Sequence, residues 1–435
     1  MVIIWQIPDC VWEVLSTFKK YNYQAYLVGG CVRDLLRGIE AQDWDIATVA
    51  TPAQVQRIFP QTVATGIRYG TVTVVNRGVN IEVTTFRRDG CYRDQRHPST
   101  VIFAGNIEAD LKRRDFTINA MAYNPFTDQL IDPFNGKKDL EQGIIRAVGD
   151  PRERFAEDAL RMLRAIRFAC QMGARIEQQT WEAIMLCKAG LLKIAPERVR
   201  EELDKILGQK EVLSGLLLFD QSGLLKKVLP SIYTNQAKIP AAVALKICAA
   251  VPQKLYLRLT ALLLGLTDVT PSLVMLRYPK KIAQQVVQLH HVMALMATGG
   301  TAPADIRLYV SQIHTAKLVD VLDIMSLLKA ILKVATFPLI SKEKIKVLLV
   351  KLPQFAAENF PRSPSELAID GIQLKKNLQL QEGPLVGRIL HDLWREVLHN
   401  PERNQREHLL ERAGRLAKEY QVTSLTATDG KKKDK

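Results

Sequence analysis

The sequence predicts an α+β fold, with a small mixed sheet and helices in residues 1–150 and helices alone in the remainder. Three observations carry this prediction. A β-favouring run leads into a glycine pair at residues 26–30, and residues 66–86 alternate in the manner of a β-hairpin. Beyond Pro151 this alternation gives way to a helical period. With 435 residues, the chain is also too long for one ordinary domain.

Composition and charge restrict the class of protein. The 47% of hydrophobic and 24% of charged residues are normal for a globular protein, and the net charge of +15 favours a polyanionic partner. The longest apolar run, residues 259–266, is too short to span a membrane, and residues 1–8 lack the basic start of a secretory signal. Six scattered cysteines without a C-x-x-C motif disfavour zinc and disulfides. We therefore expect a cytoplasmic protein with no membrane association.

The segment from Tyr26 to Ala47 contains the first candidate site. Its glycine pair, Gly29 and Gly30, permits backbone conformations and close ligand approach that other residues forbid. A helix is predicted to begin at this turn, so its N–H groups and the Arg33 side chain could bind a polyphosphate. The alternative interpretation is a plain turn.

Two aspartates lie at the next predicted strand. Asp43 and Asp45 are two residues apart, so both carboxylates project from one face of a strand. A divalent cation would relieve their repulsion, and Mg²⁺ suits a few carboxylates completed by phosphate oxygens. Glu82, in the second arm of the predicted hairpin, could add a third carboxylate for metal binding or proton transfer. Alternatively, the aspartates only end a strand and Glu82 is a solvated strand residue.

Two segments after the hairpin are rich in arginine. Residues 87–98 have no apolar period, which predicts a basic loop that is either inert or a lid. Residues 111–122 begin with basic side chains, Arg114 among them, and become apolar. This pattern predicts a helix whose first end faces a polyanion and whose second end packs.

Residues 153–168 predict one amphipathic helix. Asp158, Arg161 and Arg164 recur every third residue along one side of it. These side chains could form a solvated face of ion pairs. In a functional interpretation, Asp158 accepts a hydrogen bond from an exocyclic amine and Arg161 donates to a ring nitrogen, which would read the edge of cytosine or adenine.

The C-terminal half is rich in leucine and poor in motifs. Residues 212–353 predict packed helices, and the arginine-rich helices after Gly383 suit a nucleic-acid backbone. His391 and Asp392 lack the second histidine of a metal-dependent phosphohydrolase, and the chain has no P-loop.

Taken in order, these motifs resemble the class II tRNA nucleotidyltransferases: the bacterial CCA-adding enzymes and their poly(A) polymerase relatives in the polymerase-β-like superfamily. The matching segments are residues 29–34, 43–45 with Glu82, 113–120, 132–136, 157–161 and 197–203. The resemblance implies a seahorse shape with four parts. These are a polymerase-β-like nucleotidyltransferase head (residues 1–150), a nucleotide-selecting neck (151–210), a helical body (211–353) and a helical tRNA-binding tail (354–435).

The resemblance also implies an activity, which is template-free addition of the 3′-terminal CCA to tRNA from CTP and ATP. It assigns two Mg²⁺ ions to Asp43 and Asp45, with Glu82 as a further catalytic carboxylate. The nucleotide-binding residues that it implies are Gly30, Arg33, Arg114, Asp158, Arg161, Arg164 and Arg167. The tRNA would be bound at its acceptor end and, through the segment beginning at Gly383, at its elbow. No oligomeric state is predicted.

Three alternatives remain open at this point. An enzyme that adds only the terminal A shares all of these motifs, whereas CC-adding enzymes characteristically lack part of the loop that is intact here at residues 88–98. A poly(A) polymerase usually carries a basic and aromatic signature that residues 65–74 do not show. A non-catalytic tRNA-binding protein would have no need of Asp43, Asp45 and Asp158.

Overall fold

The computed structural model of the protein describes residues 6–89, 101–315, 318–334 and 339–429. The chain divides into an N-terminal unit, Met1–Pro230, and a C-terminal unit, Ser231–Lys435. The sheet and all the predicted nucleotide-binding residues lie in the N-terminal unit. The finer division at residues 150, 210 and 353 stays a prediction.

Strands are found in the N-terminal unit. In chain order they are β1 (Ala25–Val28), β2 (Trp44–Thr48), β3 (Thr62–Gly66), β4 (Thr71–Asn76), β5 (Val79–Thr85), β6 (Arg87–Asp89), β7 (Val101–Phe103), β8 (Ala122–Asn124), β9 (Gln129–Ile131), β10 (Ile144–Ile145) and β11 (Arg175–Ile176). Seven of them form one sheet in the order β3-β4-β5-β2-β1-β8-β9. β2 and β5 are parallel and the other neighbours antiparallel, so the predicted mixed sheet and its β4–β5 hairpin are confirmed.

The register between β2 and β5 places the acidic residues of the sheet side by side. Asp45 lies opposite Glu82, and Trp44 lies opposite Ile81. Trp44 and Ile81 are buried in the larger core cluster, which packs the first helix against the sheet. Because side chains alternate along a strand, Asp45 and Glu82 project from the opposite face.

Helices complete the N-terminal unit. They are α1 (Asp9–Lys20), α2 (Gly30–Leu36), α3 (Pro52–Ile58), α4 (Ile107–Lys112), α5 (Gly136–Glu141), α6 (Pro151–Glu157), α7 (Leu160–Met172), α8 (Gln178–Cys187), α9 (Pro196–Leu207), α10 (Val212–Gln221) and α11 (Leu224–Val228). Ile107 and Leu111 of α4 pack in a second, smaller cluster with Val28 and Ala47 of the sheet. This cluster therefore holds α4 on the face that carries Asp45 and Glu82.

The prediction of one helix over residues 111–122 is wrong. α4 ends at Lys112, and only a 3₁₀ turn, Thr117–Asn119, follows. The carboxylate of Asp115 accepts hydrogen bonds from the N–H of Phe116 and from the side chain of Asn119, which stabilises a local turn in place of further helix.

The single helix predicted over residues 153–168 is also wrong. The chain forms α6 and α7, separated at Asp158, whose backbone is extended with φ −146° and ψ 103°. Its carboxylate Oδ1 accepts a hydrogen bond of 3.0 Å from the N–H of Leu160, a local bond of the kind that competes with a continuous helix. Asp158 therefore precedes the helix that carries Arg161 and Arg164.

The loop predicted over residues 87–98 begins with regular structure. β6 pairs with β7 in an antiparallel ladder in which Arg87 lies opposite Phe103. Residues 90–98 lie outside the described part of the chain.

The described residues of the C-terminal unit are helical, as predicted for residues 212–353. The helices are α12 (Ala241–Ala250), α13 (Leu255–Leu263), α14 (Thr270–Met275), α15 (Lys280–Thr298), α16 (Pro303–Thr315), α17 (Val321–Val334), α18 (Lys342–Ala357), α19 (Gly371–Leu378), α20 (Pro384–His399) and α21 (Arg406–Asp429). None of the described helices combines the length and apolarity that crossing a membrane requires.

Candidate active site

The predicted glycine turn joins β1 to α2. Gly29 has φ 76° and ψ −128°, a conformation that residues with a Cβ rarely adopt. A Cβ at Gly29 would also lie 2.7 Å from Nη1 of Arg114 and 3.4 Å from Oδ2 of Asp45. Glycine is therefore required here for its conformation and for the close approach of Arg114.

Arg33 is buried within α2 and is fixed by other side chains. Its Nη1 donates a 2.7 Å hydrogen bond to Oδ1 of Asn119, and its Nε and Nη2 donate to the carboxylate of Asp34 at 2.9 Å. Asn119 belongs to the 3₁₀ turn that replaces the predicted helix. This 3₁₀ turn, which the sequence did not predict, thus orients Arg33, which was predicted to bind phosphate.

The carboxylates of Asp43, Asp45 and Glu82 carry more negative charge than their surroundings neutralise. Burial is the main cause that raises the pKa of Asp45, to about 6; Arg114 opposes this rise, and Glu82 and Asp43 contribute to it. Such a site favours a cation. Within the described residues, no three His, Cys, Asp or Glu side chains are grouped closely enough to hold a metal ion, so substrate oxygens would have to complete its coordination.

Replacing Asp45 by asparagine is expected to stabilise the protein in the absence of metal. The pKa of this carboxyl group is near 6 in the folded protein and near 3.9 in the unfolded chain. The folded state therefore becomes less stable as the pH rises between these values. At pH 7.5 the free energy of unfolding of Asp45→Asn should therefore exceed that of the parent by about 1–3 kcal/mol, and at pH 4 the two should be similar. Urea unfolding in EDTA measures this difference. Lower stability of the variant at pH 7.5 would contradict the pKa assignment.

Two cavities adjoin these carboxylates. The first, about 690 Å³, is lined by arginines of α2, of the segment after α4, of α7 and of α9. The second, about 610 Å³, is lined by Val63, Thr65, Thr73 and Asn80. Asp43, Asp45 and Glu82 line both cavities. The arginine-rich first cavity, called here the basic cavity, suits a triphosphate, and the second cavity offers space for a second reactant beside the same carboxylates.

The structure brings all ten residues predicted for the site to the basic cavity. They are Gly30, Arg33, Asp43, Asp45, Glu82, Arg114, Asp158, Arg161, Arg164 and Arg167. These residues come from β2 and the residue before it, β5, α2, the segment after α4, the junction between α6 and α7, and α7 itself. Residues far apart in sequence therefore face one space, which is large enough for a nucleotide.

Two arginines of α7 are paired with buried acids. Arg164 contacts Oδ2 of Asp115 at 2.6 Å, and Nε of Arg167 donates a 2.7 Å hydrogen bond to Glu202. Burial alone would raise the pKa of Asp115, but Arg164 and Arg161 outweigh it and lower that pKa to about 2. Both arginines are thus held by buried carboxylate side chains.

The predicted base-reading residues are also held by the protein. Nη2 of Arg198 donates a 2.7 Å hydrogen bond to Oδ2 of Asp158. Arg161 donates from Nη1 to Glu157 and to the carbonyl oxygen of Arg154, and from Nη2 to that of Arg113. A guanidinium has five N–H groups and a carboxylate about four acceptor positions, so both side chains keep capacity for a base.

Asp115, Asn119 and Arg198 also line the cavity, and no individual role was predicted for them. Asp115 and Asn119 lie within segment 113–120, and Arg198 lies within segment 197–203; both segments match motifs of the family that the sequence resembles. The motif segments therefore contained these residues. Their partners are distant in sequence, so local spacing gave no indication of what they contact.

The two units differ in charge. The N-terminal unit has 31 Lys and Arg against 28 Asp and Glu, whereas the C-terminal unit has 29 against 17 and so carries +12 of the net +15. Some of the arginines predicted to bind a nucleic-acid backbone are paired with acidic side chains: Arg412 contacts Glu396 at 2.6 Å, and Arg415 pairs with Glu411. The excess positive charge still favours a polyanion at this unit.

Three family models match successive parts of the chain. The model described as "Poly A polymerase head domain" matches residues 25–146, "Probable RNA and SrmB- binding site of polymerase A" matches residues 173–234, and a model for tRNA nucleotidyltransferase domain 2 matches residues 254–413. Together they cover most of both units.

Curated relatives carry the name CCA-adding enzyme. The enzyme of Limosilactobacillus reuteri is 35% identical over 416 residues, which is 93% of this chain and 96% of that protein. The enzyme of Geobacillus stearothermophilus is 33% identical over 396 residues, 91% of this chain and 94% of the relative. The enzyme of Lactiplantibacillus plantarum is 46% identical over 250 residues, which is 56% of this chain and 60% of that protein.

Solved structures agree in fold. The Bacillus stearothermophilus CCA-adding enzyme in complex with CTP has a TM-score of 0.70 and 29% identity, covering 96% of this chain and 98% of that one. The Thermotoga maritima CCA-adding enzyme complexed with tRNA has a TM-score of 0.63 and 23% identity, covering 95% and 97%. The second likeness supports the fold alone.

Proposed function

Because the chain belongs to the bacterial CCA-adding enzymes, a family of tRNA nucleotidyltransferases, we propose that it adds the 3′-terminal CCA to tRNA from CTP and ATP without a nucleic-acid template. One observation carries the proposal: a single cavity contains a glycine turn, a carboxylate group and an aspartate–arginine pair, the parts that a nucleoside triphosphate requires. We further propose that the protein acts in the cytoplasm, with the head, neck, body and tail that the resemblance implies.

The triphosphate would lie at the glycine turn. The conformation of Gly29 and the missing side chain of Gly30 let phosphate oxygens approach the backbone, and Arg33 and Arg114 supply positive charge. Both arginines are buried or nearly so, and their charges are therefore less screened than on an open surface. Positioning of this kind is the main contribution of a protein to phosphoryl transfer.

Asp43 and Asp45 would hold two Mg²⁺ ions, which would relieve the repulsion that Asp43 and Glu82 exert on Asp45. When bound, such ions lower the pKa of an attacking hydroxyl and stabilise the leaving pyrophosphate. Glu82, beside Asp45 in the sheet, adds a carboxylate that lines both the basic cavity and the second cavity. We propose that this second cavity receives the tRNA 3′ end, because the attacking hydroxyl and the leaving group must lie on opposite sides of the phosphorus.

Asp158 and Arg161 would select the base. A carboxylate accepts a hydrogen bond from the exocyclic amine that cytosine and adenine share, and a guanidinium donates to their ring acceptor. Arg198 and Glu157 hold the two side chains in place, so the protein provides a fixed pattern in the role of a template strand. Arg164 and Arg167 lie on α7 together with Arg161 and would add positive charge near the phosphates.

Replacing Asp158 by alanine is expected to reduce the preference for CTP and ATP over UTP and GTP by about 10-fold or more, because one good base contact discriminates by about 1–3 kcal/mol. Values of kcat/KM for the four nucleotides measure this effect. Glu153→Ala is a matched control, since Glu153 is an exposed carboxylate of α6 outside the cavity, and it should leave the preference unchanged. An unchanged preference in Asp158→Ala would refute the selecting role.

The tRNA is proposed to bind the C-terminal unit, whose charge of +12 suits an RNA backbone, with its elbow at the segment that begins at Gly383. Incubation of the protein with three tRNAs, ending before the first C, after CC and after CCA, tests the function. CTP and ATP together should complete CCA on the first two tRNAs and extend the third by nothing.

Other outcomes of this assay identify the alternatives. Addition of only A to the tRNA that ends in CC would identify an A-adding enzyme, and long tails from ATP alone on generic RNA would identify a poly(A) polymerase. Binding of tRNA without incorporation, in the presence of Mg²⁺ or Mn²⁺, would leave a tRNA-binding protein and refute the proposed catalysis.

A further inference from the structure

Asp110 lies in α4, and its side chain has no accessible surface. It does not line the basic cavity, and no motif in the sequence singles it out. An ionised carboxylate in a protein interior is strongly disfavoured unless it is paired. Its partners therefore indicate what the residue does.

Two consecutive arginines share this carboxylate. Oδ1 of Asp110 accepts a hydrogen bond of 2.9 Å from Nε of Arg113, whose Nη2 lies 2.7 Å away. Oδ2 accepts a hydrogen bond of 3.2 Å from Nη2 of Arg114. Burial alone would raise the pKa of Asp110, but the two guanidinium groups outweigh burial and lower it. Asp110 is thus an anion that holds both side chains.

Arg114 has few other anchors. Its Nη1 is 3.5 Å from the carbonyl oxygen of Asn119, and its Nε is buried without a hydrogen-bond acceptor in the described part of the chain. The same Nη1 lies over Gly29 at the turn proposed for the triphosphate. Asp110 therefore makes the shorter of the two hydrogen bonds that fix the Arg114 guanidinium, and Nη1 faces the ligand space.

We infer that Asp110 is a positioning residue for nucleotidyl transfer: it fixes Arg114 above the glycine turn so that its guanidinium meets the triphosphate of the incoming nucleotide. The inference rests on the triphosphate-binding role proposed for Arg114. Asp110 itself touches neither substrate nor the predicted metal ligands, and it acts through the arginine.

Replacement by asparagine separates charge from shape. Asp110→Asn keeps the size of the side chain but leaves the adjacent guanidinium groups of Arg113 and Arg114 without their shared counter-ion. Arg114 would then be drawn toward Asp45, with which it already interacts electrostatically. Fewer molecules would hold the arginine in the geometry that binds the triphosphate, so nucleotide affinity should fall.

A double-mutant cycle tests the inference. The Kd of CTP, measured by titration calorimetry with Mg²⁺ and without tRNA, should rise about 10-fold in Asp110→Asn and at least as much in Arg114→Ala. Because the aspartate acts through the arginine, the double variant should bind CTP no more weakly than Arg114→Ala alone. The Kd of tRNA should stay unchanged in all three variants.

A matched control separates positioning from general loss of stability. Asp323 of the C-terminal unit is likewise a buried carboxylate, paired with Lys254 at 2.8 Å, far from any residue proposed for the site in sequence. Asp323→Asn should lower the thermal midpoint without changing the Kd of CTP. If Asp110→Asn does not fold, Asp110→Glu keeps the charge and displaces it by one methylene, and it should also weaken CTP binding.

Three results would overturn the inference. One is a folded Asp110→Asn or Asp110→Glu variant that binds CTP as the parent does. Another is a double variant whose loss equals the product of the single losses, which indicates a structural effect independent of Arg114. The third is an Arg114→Ala variant whose affinity for CTP is unchanged. This result would also refute the triphosphate-binding role proposed for Arg114, whereas the first two results would leave that role intact.

Discussion

Alanine in place of Asp43 is expected to reduce nucleotidyl transfer by about 10³-fold or more, because a metal site contributes several kcal/mol of stabilisation to the transition state. Asp43 is exposed immediately before β2 and lines both cavities, so its loss should leave the fold intact. Single-turnover incorporation of CMP into tRNA measures the effect, and filter binding measures tRNA affinity, which should be nearly unchanged.

Glu40→Ala is the control for this experiment. Glu40 is an exposed carboxylate three residues earlier that lines neither cavity, and its loss should leave turnover at the parental level. Substantial residual turnover in Asp43→Ala, at any Mg²⁺ or Mn²⁺ concentration, would count against the proposed metal-binding role of this residue.

Gly29→Ala is expected to lower kcat/KM for both nucleotides by about 10²-fold and the free energy of unfolding by about 1–3 kcal/mol. A side chain at φ 76° and ψ −128° is strained, and the new Cβ would meet Nη1 of Arg114 at 2.7 Å. The arginine can move away, but it then leaves the position proposed for the triphosphate.

Gly38→Ala separates strain from displacement of the arginine. Gly38 also has a positive φ, +68°, but a Cβ there would meet nothing within 4 Å. We expect a loss of stability of about 1 kcal/mol and an unchanged KM for CTP. Equal losses of activity in the two glycine variants would contradict the role of the Gly29 turn.

Local sequence spacing was sufficient to predict that Asp43 and Asp45 face one space, for a physical reason. The two-residue period of a strand places Asp43 and Asp45 on one side without any knowledge of the rest of the chain. The pairing of Asp45 with Glu82 depends on the parallel register of β2 and β5, which joins residues 37 positions apart. Sequence spacing alone could only suggest that Asp45 and Glu82 are neighbours, and the resemblance to a known family supported that prediction.

Helical periodicity failed at Asp158. The segment has a continuous helical period, but the carboxylate of Asp158 bonds the N–H of Leu160 and separates two helices. Aspartate competes with helix formation by such local hydrogen bonds, and periodicity does not register the competition. The break frees Asp158 from the face of α7 and lets it pair with Arg198 of α9.

Asp110 illustrates a different limit. An aspartate three and four residues before two arginines is an ordinary pattern for surface ion pairs of a helix. Sequence alone gives no indication that the pair is buried, or that Arg114 continues to the glycine turn. Both facts depend on the packing of α4 against the sheet through Ile107 and Leu111.

A crystal structure with Mn²⁺ and a non-hydrolysable CTP analogue tests the central claim most directly. The account predicts anomalous density for Mn²⁺ at Asp43 and Asp45, and a triphosphate between Gly30, Arg33 and Arg114. The cytosine edge should lie within hydrogen-bond distance of Asp158 and Arg161. A nucleotide bound outside this cavity, or bound with its base directed away from Asp158, would contradict the account.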